Sequence, residues 1–416
     1  MTAEIMEKCT LAKEAAFKMA SVGTSVKDKA LEKIAEALVK KADEIIEANK
    51  QDIASAIENG TRAAMIDRLT LTRERIEGIA EGVRQICALG DPIGEVTKMW
   101  TRPNGLMIGQ KRVPMGVIAI IYEARPNVTV DAAALCLKTS NVCILRGGSE
   151  AVRSNVAIMK IMQEAAYGAG IPEGALNIIE DTSRETATEL MKMNGYVDML
   201  IPRGGKGLIK SVVENATVPV VETAAGNCHV YVDSDADIEM AVNIVLNAKV
   251  QRPSVCNAAE TLLVDRKIAN TFIPRICSEL SAKNVELRGD KTTVSLYKNA
   301  KEATEDDYYT EYNDYIMAIK VVDGIDDAIA HINKYNTKHS EAIVTNSYEK
   351  SQKFLNEVDA AAVYVNASTR FTDGFEFGFG AEIGISTQKM HVRGPMGLEA
   401  LTSVKYIVYG NGQTRE

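Results

Sequence analysis

Cys256 has the sequence setting of a nucleophile in this 416-residue chain. It lies in the segment 251–257, between a predicted helix and a predicted strand, with Arg252 four residues before it. A nearby positive charge lowers the pKa of a thiol and so favours the reactive thiolate. The other six cysteines mostly have apolar neighbours, as Cys136 has, and we interpret them as small packing residues. Sequence position alone leaves both interpretations of Cys256 open, a nucleophile or a seventh packing residue.

Two polar residues follow predicted strands and are candidates to assist such a nucleophile. Asn127 comes after the apolar run that ends at Tyr122, where its amide could donate to a developing oxyanion, although asparagine is also common in turns. Glu222 comes after the predicted strand Val218–Val221 and is either a general base or a helix-capping acid. His331 and His339 are better interpreted as structural than as ligands.

Two glycine-rich strand ends have residues that suit a phosphate. The turn in Ile201–Gly207 contains Gly204, Gly205 and Lys206 and opens a predicted helix, whose N-terminus attracts anions. Arg146 stands before a second glycine pair and offers a planar guanidinium to a ribose or a phosphate. No G-x-G-x-x-G follows a predicted strand, so a plain strand-to-helix turn remains the alternative for both motifs.

Two blocks of alternating strands and helices must position these candidates. Helices dominate the first ninety residues, and the strands of the first block are Val117–Tyr122, Val142–Leu145, Leu176–Ile179 and Val197–Ile201. A boundary near 226–235 precedes the second block, whose strands are Thr261–Val264, Met317–Val322 and Ala362–Val365. Such alternation indicates an α/β fold with parallel sheets, which bind ligands at the carboxyl ends of their strands.

Two further segments fit neither block. Thr97–Val113 has the pattern of a β-hairpin, and Leu401–Tyr409 is a late segment with strand propensity. An isolated hairpin is marginally stable in water, so we expect this one to pair with another subunit.

Composition excludes several classes of function. The chain has 48 basic and 56 acidic side chains, a net charge of −8, which argues against a nucleic-acid groove or a polybasic membrane surface. The cysteines form no C-x-x-C pair and are accompanied by only four histidines, so we expect no metal site. The most apolar stretch, Gly116–Tyr122, is far shorter than the ~20 residues of a membrane span. We therefore expect a cytoplasmic protein with reduced thiols.

Together the motifs resemble the aldehyde dehydrogenase superfamily. The 34 residues from Glu222 to Cys256 match its spacing between a conserved glutamate and the cysteine nucleophile. Segments 363–374, 380–382 and 386–398 resemble, more narrowly, the branch of that superfamily that reduces an acyl phosphate of glutamate. This resemblance covers nearly the whole chain.

The resemblance implies an architecture. It comprises a Rossmann-type NADP-binding domain (1–96 and 114–228), an α/β catalytic domain (229–400) and an oligomerisation hairpin and strand (97–113 and 401–412). It further implies the NADPH-dependent reduction of L-glutamyl 5-phosphate to L-glutamate 5-semialdehyde and phosphate, a step of proline biosynthesis. The implied partners are a second copy of the chain and, functionally, glutamate 5-kinase.

The resemblance also implies roles for single residues. Cys256 would form a thioester, Asn127 would hold the oxyanion, and Glu222 would orient groups or shuttle protons. The implied binding residues are Arg146, Gly204, Gly205, Lys206 and Glu311 for the cofactor, and Arg252, Arg370 and Arg393 for the anionic substrate.

Two alternative functions remain open on the sequence alone. One is a related acylating aldehyde dehydrogenase that uses coenzyme A instead of phosphate. The other is a catalytically silent scaffold that keeps the fold for subunit or partner assembly.

Overall fold

A computed structural model describes residues 2–123, 125–223 and 225–415, apart from the side chains of Ala63, Ala64 and Lys206. The α-helices are α1 (Ala3–Met19), α2 (Thr24–Lys40), α3 (Ala42–Glu58), α4 (Ala63–Leu69), α5 (Arg73–Ala88), α6 (Pro126–Lys138), α7 (Val152–Tyr167), α8 (Arg184–Leu190), α9 (Lys206–Asn215), α10 (Ile238–Val250), α11 (Ala269–Ala282), α12 (Lys291–Leu296), α13 (Glu305–Tyr308), α14 (Ile325–Tyr335) and α15 (Tyr348–Glu357). The strands are β1 (Val96–Thr101), β2 (Met107–Pro114), β3 (Val117–Tyr122), β4 (Val142–Arg146), β5 (Leu176–Ile178), β6 (Met199–Arg203), β7 (Cys228–Val232), β8 (Ala259–Asp265), β9 (Glu286–Gly289), β10 (Lys301–Glu302), β11 (Ile316–Val322), β12 (Ser340–Val344), β13 (Ala362–Val365), β14 (Ile385–Ser386), β15 (Gly394–Pro395) and β16 (Thr402–Tyr409).

The chain divides into two compact units. The first unit comprises Met1–Thr223, Gly378–Gly384 and Met396–Glu416, and the second comprises Ala224–Phe377 and Ile385–Pro395. Within the described ranges, no helix is both long enough and apolar enough to cross a membrane.

The first unit is built on a parallel sheet with strand order β5-β4-β3-β6. Every residue of the central strand β3 is buried, which is why this strand has an uninterrupted apolar sequence instead of an alternating one. Helix α1 packs against β3, β4 and β5, while α6 and α7 also pack on the sheet and are covered in turn by α2 and α3. The predicted parallel sheet of the first block is therefore confirmed.

The second unit contains a seven-stranded parallel sheet with strand order β10-β9-β11-β8-β7-β12-β13. Helices α10 and α11 pack on β8, and their apolar faces form one core with the sheet. Asp237 caps the N-terminus of α10 by accepting a hydrogen bond from the Met240 N–H, so this helix begins where its apolar pattern begins.

The predicted hairpin is present in the first unit and carries a third strand. β1 and β2 pair antiparallel, and β16 pairs antiparallel with β2 in a register that sets Lys405 opposite Lys111. Trp100 and Tyr406 make an edge-to-face contact across this sheet, with ring centroids 6.3 Å apart. All residues of β1 are exposed, so the sheet presents an open face and an open edge.

Two differences between the structure and the predicted elements have a clear physical reason. Val218–Val221 makes one isolated bridge, from Val220 to Leu200, and Pro219 has no N–H with which to extend a ladder. Strands β7 and β12 are missing from the predictions because they contain buried polar residues. His229 of β7 and Glu341 of β12 are opposite each other in register and form a buried pair, Nδ1 to Oε2 2.9 Å.

Candidate active site

The candidate cofactor residues of the first unit converge at the carboxyl edge of its sheet. In register, Arg203 at the end of β6 lies beside Tyr122, and Arg146 at the end of β4 lies beside Ile121. Parallel strands bring their carboxyl ends to one edge, so the turns after β3, β4 and β6 are neighbours. Asn127, in the first turn of α6, belongs to the same edge.

Arg146 is held by backbone carbonyl groups. Its Nη2 donates to the carbonyl oxygens of Thr182 and Ser183, the second at 3.0 Å. Its Nε is buried and has no acceptor among the described residues. Burial lowers the pKa of Arg146, while the charges of Glu150 and Asp181 act in the opposite direction. An orphaned donor on a half-buried guanidinium fits an oxygen-rich anionic group such as a ribose phosphate.

The Glu123 carboxylate occupies the N-terminus of α9, where the glycine-rich sequence predicts a phosphate site. Glu123 Oε2 accepts a hydrogen bond from the Gly205 N–H at 2.7 Å. A Cβ atom added at Gly204 would lie 2.6 Å from the same oxygen, so glycine at this position makes room for Glu123. A phosphate can bind at the N-terminus of α9 only after Glu123 leaves it. The side chain of Lys206, the remaining candidate of this turn, lies outside the described part of the structure.

Asn127 is exposed and is oriented by a carboxylate one helical turn further along α6. Its Nδ2 donates to Asp131 Oδ2 at 3.1 Å. An amide nitrogen carries two N–H groups, so this bond uses one of them. Burial raises the pKa of Asp131 to about 6, although the Asn127 hydrogen bond and the charge of Arg203 lower it.

Glu222 lies next to the same edge. The parallel bridge between Leu200 and Val220 and the hydrogen bond from Thr223 Oγ1 to the Pro202 carbonyl, at 2.7 Å, fix this segment alongside the end of β6. Glu222 is half-buried. The first unit thus brings together Asn127, Arg146, Gly204, Gly205 and Glu222.

Cys256 belongs to the second unit and lies at the opposite kind of sheet edge. It precedes β8 by three residues, so it stands at the amino ends of the parallel strands. The rule that places ligands at carboxyl ends therefore does not extend to this unit. The thiol of Cys256 is half-buried.

The backbone of Cys256 is tightly enclosed. A Cβ atom added at Gly226 would lie 1.4 Å from the Cys256 carbonyl oxygen, so only glycine fits there. Cys228 Sγ donates to the same oxygen at 3.2 Å and lies 3.9 Å from Nδ1 of His339. Cys228 is therefore a hydrogen-bond partner of the backbone of the loop 251–257 as well as a packing residue.

Two arginines bring positive charge to the loop 251–257, one as part of it and one bound to it. Arg370 donates from Nε to Gln251 Oε1 at 2.7 Å and from Nη1 to Asn257 Oδ1. Burial lowers the pKa of Arg370 and the charge of Arg252 acts in the same direction, while the Cys256 thiol acts against both. Arg252 and Arg370 thus lie close enough to repel each other, and an anion bound between them would relieve that repulsion.

Arg393, another candidate of the second unit, is engaged with a carboxylate away from the loop 251–257. Arg393 donates from Nη2 to Asp359 Oδ1 at 2.7 Å, in a group where Lys338 and Lys389 also pair with Asp359. These three cations hold the pKa of Asp359 well below its usual range.

Glu311, in contrast to Arg393, lies near the loop that contains Cys256. Its Oε1 accepts from the Gly226 N–H at 2.6 Å, and Gly226 in turn packs on the Cys256 carbonyl. Glu311 is half-buried, in the segment between α13 and β11.

Burial separates Cys256 from most of the other cysteines. It raises the pKa of Cys9, Cys143 and Cys277 to about 12, and it raises the pKa of Cys136 well above the usual value. Buried, protonated thiols of this kind are unreactive.

Sequence reasoning missed several residues that shape the two sites. Asp131 has a signal in the sequence, because a spacing of four residues places it beside Asn127 on one helix face. Glu123, Gly226 and Cys228 have none, because each contacts a segment that is distant in sequence.

Comparisons with known proteins identify the family of the chain. Residues 1–312 match the sequence model of the aldehyde dehydrogenase family. A relative from Caldicellulosiruptor bescii, named gamma-glutamyl phosphate reductase, is 61% identical over 99% of this chain and 100% of its own length. A relative of the same name from Clostridium perfringens is 61% identical over the full length of both chains. The crystal structure of a gamma-glutamyl phosphate reductase from Thermotoga maritima superposes with a TM-score of 0.98, at 50% identity, over 99% of this chain and 100% of that one.

The chain therefore belongs to the aldehyde dehydrogenase family. It is an oxidoreductase of that family, whose members use nicotinamide cofactors. Within the family, it is similar over its full length to proteins named gamma-glutamyl phosphate reductase, which confirms the resemblance found in its motifs.

Proposed function

We propose that the protein catalyses the NADPH-dependent reduction of L-glutamyl 5-phosphate to L-glutamate 5-semialdehyde and phosphate, as a step of proline biosynthesis. The observation that carries the proposal is the half-buried Cys256 on a loop that also carries Arg252 and that Arg370 binds through Gln251 and Asn257. A thiol suits covalent attack on an activated carbonyl, and paired guanidiniums suit a phosphate leaving group. The names of the full-length relatives supply the identity of the acyl group.

The residues of the chain have defined tasks in this reaction. The Cys256 thiolate attacks the acyl carbon, and Asn127 with the Cys256 N–H stabilises the tetrahedral oxyanion. The C–O bond to phosphate then breaks, the phosphate leaves to Arg252 and Arg370, and a thioester remains on Cys256. After reduction, the thiohemiacetal collapses to the aldehyde and releases the thiolate. Glu222 orients groups or carries a proton, because activating water would destroy the thioester.

The candidate cofactor residues fit a nicotinamide dinucleotide phosphate. Arg146, with its orphaned Nε, would hold the phosphorylated adenosine ribose, and Gly204, Gly205 and Lys206 would hold the adjoining phosphates. Glu311 would hold the second ribose. When bound, the cofactor supplies the hydride that reduces the thioester carbonyl.

An assay in the reverse direction tests the proposal. L-glutamate 5-semialdehyde and NADP+ are supplied with phosphate or with coenzyme A as the acyl acceptor, and NADPH formation is followed. We expect turnover with phosphate and its loss in Cys256→Ala. Cys277→Ala, which removes a buried thiol of the second unit, is the matched control.

Each other outcome excludes the proposal in a different way. Turnover only with coenzyme A would establish the acylating alternative. No turnover with either acceptor, together with slow, uniform alkylation of all the cysteines, would favour a silent scaffold. Full activity in Cys256→Ala would remove the nucleophile from the account.

We also propose that the sheet of β1, β2 and β16 pairs two copies of the chain. Large apolar side chains lie exposed on it, with Trp100 38%, Tyr406 62% and Val408 56% exposed. An open edge strand readily pairs with a strand of another chain. Functional association with glutamate 5-kinase is a further proposal, since an acyl phosphate is labile in water.

Sedimentation of Val408→Lys tests the subunit contact. The substitution places a charge on the apolar face without touching the candidate catalytic residues. We expect the sedimenting mass to fall relative to the wild-type chain, while Tyr348→Lys, at another strongly exposed aromatic position, leaves it unchanged. An unchanged mass for Val408→Lys would refute the contact.

A further inference from the structure

We propose that the buried ion pair of Lys249 and Glu260 positions Cys256 for the reaction, as two positioning residues that touch no substrate themselves. Nζ of Lys249 lies 2.6 Å from Oε2 of Glu260, and both side chains are completely buried. The inference rests on the proposed function, because it assumes that Cys256 is the nucleophile.

The pair closes the base of the loop that carries Cys256. Lys249 lies in the last turn of α10, seven residues before Cys256. Glu260 is the second residue of β8, four residues after Cys256. The intervening segment 250–259 is therefore anchored at both ends by one short contact. A loop fixed at both ends has few ways to move the thiol at its middle.

The second oxygen of Glu260 extends this anchor to the segment that contains Glu311. Glu260 Oε1 accepts a hydrogen bond from the Asn313 N–H at 3.1 Å. Two residues earlier, Glu311 Oε1 accepts from the Gly226 N–H at 2.6 Å, and Gly226 packs on the Cys256 carbonyl. The loop that carries Cys256 is therefore linked through Glu260 to the segment 311–313, and that segment is linked through Gly226 back to the Cys256 carbonyl.

A second set of contacts holds Lys249 in place. The aromatic ring of Tyr312 lies between two cations, with its centroid 5.9 Å from Nζ of Lys249 and 5.2 Å from the guanidinium carbon of Arg288. The Tyr312 hydroxyl donates to Asp307 Oδ1 at 2.9 Å, and Arg288 pairs with the same carboxylate at 2.7 Å. The aromatic ring therefore cannot turn away from Lys249 without breaking these bonds.

Stability of the fold alone does not account for the pair. Burial raises the pKa of Glu260 to about 7 and lowers that of Lys249, which shows that both charged forms are costly at this place. Buried ion pairs generally add little net stability, and apolar side chains of similar size often replace them without loss. A costly pair at the base of the nucleophile's loop is explained by the geometry it imposes.

A double substitution separates position from stability. Lys249→Met with Glu260→Gln removes both charges, keeps the side-chain lengths and retains an oxygen that can accept from the Asn313 N–H. The matched control is Lys27→Met with Asp91→Asn, which removes a similarly buried pair with a 2.6 Å contact in the first unit. Both variants are assayed for phosphate-dependent NADPH formation, for the rate at which iodoacetamide labels Cys256, and for thermal unfolding.

We expect the double variant at 249 and 260 to fold and to lose kcat by about 30-fold, because a small displacement of a nucleophile costs one to two powers of ten. The KM for phosphate should change by less than threefold, and labelling of Cys256 should slow by about tenfold. The control pair should leave all three values unchanged. A split between kcat and KM with slower labelling is the sign of a displaced thiol.

Two results would overturn the inference. One is a folded double variant whose kcat and labelling rate stay within twofold of the wild-type values. The other is a double variant that does not fold, since the pair would then serve the stability of the unit. If the wild-type protein shows no phosphate-dependent turnover, the proposed function fails, and the labelling rate still decides whether the pair positions Cys256.

Discussion

Substitution of Gly226 by alanine should displace the catalytic loop without changing a charge or a hydrogen-bonding group. The added Cβ would lie 1.4 Å from the oxygen and 2.2 Å from the carbon of the Cys256 carbonyl. Ordinary contact begins at 3.4 Å, so the two segments must separate by about 2 Å. Both clashing atoms belong to the backbone and cannot rotate away. The Gly226 N–H that binds Glu311 is retained in alanine.

A displacement of this size has a calculable effect on the reaction. A misplacement of about 1 Å in a catalytic group costs ~100-fold in rate. We therefore expect kcat to fall by at least ~100-fold, which corresponds to ~2.7 kcal/mol in the activation barrier. The overpacked core should also lose ~1–3 kcal/mol of unfolding free energy.

Steady-state kinetics with phosphate, NADP+ and L-glutamate 5-semialdehyde measure the first effect, and urea unfolding measures the second. Gly78→Ala is the control, because this exposed glycine of α5 has no atom within 4 Å of an added Cβ. It should leave kcat unchanged and should raise helix stability slightly. A folded Gly226→Ala protein with wild-type kcat would refute the tight enclosure of the Cys256 carbonyl.

Substitutions of three charged residues, Asp131, Arg252 and Arg146, should have distinct effects on stability and on substrate and cofactor binding. Asp131→Asn should gain about 2 kcal/mol of stability relative to the wild-type chain between pH 4 and pH 8, because burial raises the pKa of Asp131 to about 6 and its ionisation costs stability as the pH rises from about 4 through 6. Equal pH dependence of urea unfolding in both proteins would contradict this. Arg252→Met should raise the KM for phosphate by about 10- to 100-fold with little change in kcat. Arg275→Met on α11 should change neither value. Equal KM values for phosphate in Arg252→Met and the wild-type protein would show that Arg252 is not part of the phosphate site. Arg146→Met should raise the KM for NADP+ and spare that for NAD+; a parallel rise in both would mean that Arg146 does not distinguish the two cofactors.

Much of the fold could be predicted because its elements have strong local patterns. The predicted strands Val117–Tyr122 and Ala362–Val365 have the same bounds in the sequence interpretation and in the structure. Their patterns are continuous, and turn residues mark their ends. The hairpin of β1 and β2 was predictable for the same reason.

The missing strands have a physical cause. His229 and Glu341 are polar residues in fully buried strands, and their sequences do not have the apolar pattern of a parallel-sheet core. Each becomes compatible with burial because the other supplies its hydrogen-bond partner across the register. The two residues are 112 positions apart, so a single sequence does not reveal the pairing.

The candidate site shows the same limit. Cys256 and Glu222 were identified by residue type and spacing, because a nucleophile has a recognisable local setting. The residues around Cys256 come from distant parts of the chain. Gly226 packs against its carbonyl group, and Arg370 binds Gln251 and Asn257 of its loop. Arg393 illustrates the converse, since its sequence suggests an anion site and the structure pairs it with Asp359.

In the proposed reaction, Cys256 carries the acyl group as a thioester. Mass spectrometry of the protein incubated with L-glutamate 5-semialdehyde and NADP+, in the absence of phosphate, tests it most directly. We predict one glutamyl group on the peptide that contains Cys256, and its removal within one turnover when phosphate is added. A glutamyl group on any other residue, or none at all in a sample that turns over with phosphate, would contradict the account.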